Sequence, residues 1–133
     1  MTERGLLFVL ANAVEGKEAE FNDWYDNVHV PDMLSVPGVL TCTRARFSDV
    51  EFLPGSRIED YRYVTIYDVE ANDDEGFERI AENLRAAFFG GANVSASAVK
   101  SEGVTTEAMP ISDALDLTSV KDTFATVLLK RNA

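Results

Sequence analysis

The chain of 133 residues carries 23 acidic and 12 basic side chains, a formal net charge of −11, with 46% hydrophobic and 26% charged residues. That size and balance suit one soluble, cytoplasmic globular domain over residues 1–133, and they offer no basic face for nucleic acid or an anionic membrane. One cysteine, Cys42, allows no internal disulfide and fits a reducing compartment, and the apolar run near the N-terminus is too short for a membrane span and lacks a cleavage-site pattern.

That run, GLLFVLANAV over 5–14, is continuously apolar except for Asn12, as expected of a strand covered on both faces. Glu15-Gly16 breaks it. A helix follows over about 17–29: Phe21, Trp24, Tyr25 and Val28 fall at i, i+3, i+4 and i+7, and Asn22, Asp23, Asp26 and Asn27 take the other side. Pro31 cannot continue a helix, and its ring disfavours helical geometry at Val30. The helix is therefore expected to end near His29, with Pro31-Asp32 opening a second short turn.

After Val36-Pro37-Gly38 a second strand is expected over about 38–48, with Leu40, Cys42, Arg44 and Arg46 on one side and Val39, Thr41, Thr43, Ala45 and Phe47 on the other. Residues 49–59, with Pro54-Gly55, read as an exposed loop. A third strand over about 60–69 alternates Tyr61, Tyr63, Thr65 and Tyr67 against Arg62, Val64, Ile66 and Asp68. A second helix starts from Asn72 or Asp73 as N-cap, buries Phe77, Ile80, Ala81, Leu84 and Phe88, and stops at Gly90-Gly91. Residues 92–118 show no clear period and read as an extended connection with a short element near 96–104. A final strand is expected near 122–130. The order β-α-β-β-α-β gives an α+β, ferredoxin-like antiparallel sheet with both helices on one face.

His29 is the only histidine and Trp24 the only tryptophan. A histidine in the last turn of a helix feels the negative end of the dipole, which favours its protonated form, whereas burial beside aromatic rings disfavours it. Held near neutral pH between these pushes, it serves as a general acid or base; the plainer reading is a residue that packs or caps the helix end. One histidine and one cysteine cannot make a zinc set, and no phosphate-cradling loop or dinucleotide fingerprint occurs, so neither a metal nor a cofactor is expected. Cys42 reads as a small buried residue, or as a thiol activated by Arg44 two positions on.

The run F-N-D-W-Y-D-N-V-H-V-P-D-M-L-S-V-P-G-V, followed by a strand with two arginines, resembles the EthD-like branch of the dimeric α+β barrel superfamily, which carries a similar W-Y-x-x-x-H-x-P-x-x-x-x-x-P-G run between its first two strands. The match is dense over about 20–47, moderate over Tyr61–Val69 and thin after about Leu84. The resemblance implies two sheets closing into a barrel across a homodimer, with a pocket in each subunit between sheet and helices. An open sheet face carrying the tyrosine row or Val64 and Ile66 points the same way. Function is less defined, because the superfamily holds cyclases, isomerases, cofactor-free monooxygenases, haem-handling enzymes and members with no known activity.

The chemistry expected is proton transfer to or from a small, largely apolar, aromatic or polyketide-like molecule, as in a lyase, cyclase, isomerase or dehydratase. His29 moves the proton, and Tyr25 or a strand tyrosine donates to the developing oxyanion. Trp24, Asn12, Tyr61, Tyr63 and Tyr67 contact the substrate, and Arg44 or Arg46 holds an acidic substituent. Core packing for each tyrosine, and salt bridges for the two arginines, are the plainer readings. A cofactor-free monooxygenase and a non-catalytic binding or accessory protein are the alternatives.

Overall fold

The computed structural model describes residues 4–90 and 109–132. The chain runs β1 (Gly5–Ala13), α1 (Glu18–Trp24), a π-helical stretch (Tyr25–His29), α2 (Val30–Leu34), β2 (Val39–Arg46), β3 (Tyr63–Val69), α3 (Asp74–Phe89) and β4 (Leu115–Ala125). The four strands form one antiparallel sheet in the order β2-β3-β1-β4. This is the expected β-α-β-β-α-β arrangement. The short element read near 96–104 lies outside the described residues.

Period-two alternation decides which side chains meet the helices. In register, Leu7 faces Tyr67, Val9 faces Thr65 and Ala11 faces Tyr63 on β3. Leu7, Ala11, Tyr63, Thr65, Tyr67 and Val69 are all buried. Leu6, Phe8, Leu10 and Ile66 point the other way and remain half-exposed. On the helix side one core joins Leu7, Tyr67 and Val69 to Met33, Val36, Phe77, Ile80 and Phe88. A second joins Ala11 and Tyr63 to Phe21, Trp24, Tyr25 and Ala114. Phe21 is wholly buried there, and burial of such a side chain contributes roughly 1.5–3 kcal/mol.

α3 is set by its ends and its stripe. The Asp73 carboxylate accepts a hydrogen bond from Gly76 N at 2.8 Å, and Gly90 closes the helix with φ +65°. Gly38 (φ +98°) turns the chain into β2, where a Cβ would come within 2.7 Å of Ile80 Cγ1. That position therefore needs glycine both for its backbone and for contact with α3.

Three boundaries differ from the sequence reading. The helix does not end at His29: Val30 is helical (φ −62°, ψ −47°) and its N–H donates to Tyr25 O, a bond across five residues. The wider π turn shifts the hydrogen-bond register just before Pro31, which lacks an N–H. In β2, a register shift between Val39 and Thr41 turns Val39 inward and leaves Leu40 outside. The last strand is Leu115–Ala125, not 122–130. After it, Val127 N and Thr126 Oγ1 bond to the Oδ1 and backbone O of Asn72, and Leu128 and Leu129 are exposed.

Candidate functional site

His29 sits inside a ring cluster. Its imidazole stacks on Trp24 (centroids 4.7 Å apart, 25° between planes), meets Tyr25 edge-on at 4.9 Å and lies 5.5 Å from Phe88 of α3. The π stretch makes the Trp24 contact. At the α-helical 100° per residue, positions 24 and 29 would stand about 140° apart, and the wider turn brings them closer to one line. His29 Nδ1 is buried without a hydrogen-bond partner among the described residues. Burial, and secondarily the Arg44 guanidinium, push its pKa down to about 4. This departs from the expected near-neutral titration for a simple reason: within a helix that runs on to Leu34 there is no free C-terminal dipole to support the cation. At pH 7 the ring is neutral.

His29, Trp24 and Tyr25 form one wall of a groove of about 350 Å³ between sheet and helices. Val9, Ala11, Leu115, Leu117 and Val120 form its floor, and Phe88, Phe89 and Ile111 close its sides. A second hollow of about 250 Å³ adjoins it, sharing Val9, His29, Arg85, Phe88, Phe89 and Asp122 and reaching Met33 and Phe124. The lining is apolar apart from His29, Arg85 and Asp122 and the polar edges of Trp24 and Tyr25. That is the ordinary composition of a small-molecule site. Trp24 is fixed in the wall by a 3.1 Å bond from Nε1 to Pro110 O.

The other expected site residues lie elsewhere. Arg44 packs behind Tyr25, its guanidinium carbon 4.2 Å from that ring's centre. Its Nη1 is paired with Asp26 Oδ1 at 2.6 Å and its Nη2 donates to Asn22 Oδ1 at 3.0 Å. It clamps α1 to β2, and its Nε is buried without a hydrogen-bond partner among the described residues. Arg46 is exposed, grouped with Glu18 and Arg62 away from the groove. Asn12, on the face away from the helices, donates from Nδ2 to Asp60 O and accepts at Oδ1 from Arg62 N, both at 2.8 Å. It ties the loop before β3 to β1. Tyr61 precedes the strand and has the Lys121 ammonium 6.0 Å from its ring centre.

Tyr63 belongs to the second core, its hydroxyl donating to Glu18 Oε2 and accepting from Asn22 Nδ2. Tyr67 is wholly buried in the first. Its hydroxyl lies near the Tyr25 hydroxyl and the Cys42 thiol without reaching hydrogen-bond geometry among the described residues. Burial raises the pKa of both Tyr25 and Tyr67, so both are protonated donors at neutral pH. Burial also raises the Cys42 thiol, outweighing Arg44, so the activated-thiol reading is not supported. Among the described residues, no three His, Cys, Asp or Glu side chains converge as metal ligands. No described helix is long and apolar enough to cross a membrane.

Comparison with protein-family profiles gives no match, and neither does comparison with curated proteins. Solved structures share the fold. An EthD family protein from Bacillus halodurans C-125 superposes with a TM-score of 0.55 at 16% identity, over 95% of this chain and 100% of that one. A protein from Shewanella loihica PV-4, provisionally assigned as a monooxygenase, gives 0.50 at 16%, over 98% and 99%. The chain thus has the α+β fold of an EthD family protein, as the Trp24–Gly38 run leads one to expect.

Proposed function

We propose that this protein is a cofactor-independent enzyme that binds a small, flat, largely apolar molecule in the groove and uses His29 as proton acceptor. The observation that carries this reading is the neutral imidazole set in an otherwise apolar wall. Nδ1 is buried, while Nε2 has no hydrogen-bond partner among the described residues and is the nitrogen left to reach the groove. A base whose conjugate acid has a pKa of about 4 takes protons only from a substrate whose anion is well delocalised, such as a phenol or a 1,3-dicarbonyl compound. Tyr25 packs edge-on against the imidazole and holds the ring in place, its own hydroxyl kept protonated by burial beside Thr65 and Tyr67. Reprotonation at another atom, or expulsion of a leaving group, then gives isomerase, cyclase or lyase chemistry.

A second reading shares the first step. The deprotonated substrate reacts with dioxygen instead, as in a cofactor-free monooxygenase. The Shewanella protein of the same fold, with its monooxygenase assignment, favours keeping it. Oxygen uptake on turnover separates the two.

The groove is tested by screening aromatic, polyketide-like and lactone compounds for thermal stabilisation. A compound at 100 times its dissociation constant stabilises the fold by about 2.7 kcal/mol. Leu117→Trp, which fills the groove from its floor, should abolish the stabilisation. Hits that bind Leu117→Trp unchanged place the site elsewhere.

The assembly we propose is a homodimer closed through the outer sheet face, where Phe8 sits opposite Ile66 with Leu6 and Leu10 beside them, all half-exposed. Such an apolar row belongs against a second surface. Light scattering should give about twice the 14.6 kDa chain mass, falling to that of a monomer in Phe8→Lys.

A further inference from the structure

We propose that Asp122 of β4 determines ligand specificity by accepting a hydrogen bond from a hydroxyl of a neutral aromatic ligand and turning anionic ligands away. The proposal rests on the groove being the ligand site and deepens that reading.

Asp122 stands opposite Val9 in the β1–β4 register, so its carboxylate lies on the helix-facing side of the sheet. Its neighbours on that side are apolar: Leu7, Val9, Val120 and Phe124. It lines both hollows, as His29 does. Among the described residues, no hydrogen bond or ion pair engages its carboxylate. Asp122 is exposed, so its carboxylate sits at the open side of the groove, where a hydroxyl brought in by a ligand replaces water as its partner.

The sign of the groove follows from its cations. Arg85 is the one arginine among the described lining residues, and its Nη2 already donates to Glu78 Oε1 at 2.7 Å. Arg44 lies behind Tyr25 with both terminal nitrogens engaged. Asp122 is therefore the uncompensated charge, and it disfavours a carboxylated ligand. An organic cation fits poorly for a different reason. Trp24 already stacks on His29, and Tyr25 already has the Arg44 guanidinium against its ring, so neither forms an open aromatic cage. A neutral molecule with a hydrogen-bond donor, a phenol or enol, satisfies both conditions.

The test uses four probes of one size: 2-naphthol, 2-methoxynaphthalene, 2-naphthoate and 2-naphthylmethylamine. They are titrated into the full chain while the Trp24 indole N–H and His29 ring resonances are followed by NMR. The expected result is 2-naphthol about tenfold tighter than 2-methoxynaphthalene, as for a hydrogen bond to a charged acceptor, with 2-naphthoate weakest. Asp122→Leu should erase the 2-naphthol preference and strengthen 2-naphthoate. Asp122→Asn, which keeps an acceptor without the charge, should retain part of the preference and lose the bias against 2-naphthoate. An unchanged order in Asp122→Leu overturns the proposal, as does tightest binding of the amine. A change confined to self-association, with the order intact, assigns Asp122 to guarding the sheet edge and also overturns it. If no probe moves the Trp24 or His29 resonances, the groove reading itself fails, and the proposal with it.

Discussion

Lowering the pH titrates His29 in the unfolded chain long before it does so in the fold, and the consequence for stability can be worked through. The imidazole pKa falls from the ordinary 6.5 to about 4 on folding. Between these values the unfolded state holds the extra proton, so stability rises with pH across that window. The His29 contribution is complete above about pH 6.5 and is lost progressively as the pH falls to about 4. At 1.36 kcal/mol per unit the shift is worth about 3 kcal/mol. Carboxylates also titrate near the lower end, so the measurement is a difference between wild type and His29→Gln. Urea unfolding followed by the fluorescence of the single tryptophan, Trp24, reports both proteins at each pH. Wild type should lose about 3 kcal/mol more than the variant between pH 7 and pH 4. Parallel pH dependences, with a difference below about 1 kcal/mol, would show that the ring is not desolvated as its stacking on Trp24 requires.

Two further substitutions test the residues now placed outside the groove. Arg44→Met removes the clamp to Asp26 and Asn22 together with the stack on Tyr25, and should cost about 1–3 kcal/mol in urea unfolding. It should also raise the His29 pKa, read by NMR titration, because the Arg44 charge is one of the two causes that depress it. Asn12→Ala breaks the bonds to Asp60 and Arg62 and should cost about 1–3 kcal/mol, with no effect on the affinity of any groove ligand.

The element order was legible because residues 5–14 form an apolar run broken only by Asn12, the third strand alternates, and Phe77, Ile80, Leu84 and Phe88 fall at helical spacing. The grouping of Trp24, Tyr25 and His29 along one groove was legible too, because they are neighbours in one helical segment and local spacing brings them together. What local spacing does not carry is register across the sheet. Asn12, Arg46 and Tyr61 are polar or aromatic residues of the right kind, but the sheet sends Asn12 to the opposite face and leaves Arg46 and Tyr61 at the strand ends. Arg44 does face the helices, yet Asp26 and Asn22 reach it first. Asp122 and Phe89 went unnoticed as site residues. Thr118 and Ser119 obscure the start of β4, and with that strand placed too late the pairing of Asp122 with Val9 had no basis. The π turn left no composition signal beyond Pro31 itself, and it is the feature that turns His29 onto Trp24.

The measurement that bears most directly on the proposed chemistry is the turnover of a groove ligand by His29→Gln, with affinity determined on the same preparation. The account predicts that the variant folds and keeps its affinity within a few fold, while the catalytic rate falls by roughly 10²–10⁴, the range for a lost proton-transfer group. Conversion at the wild-type rate by a folded His29→Gln protein would contradict it.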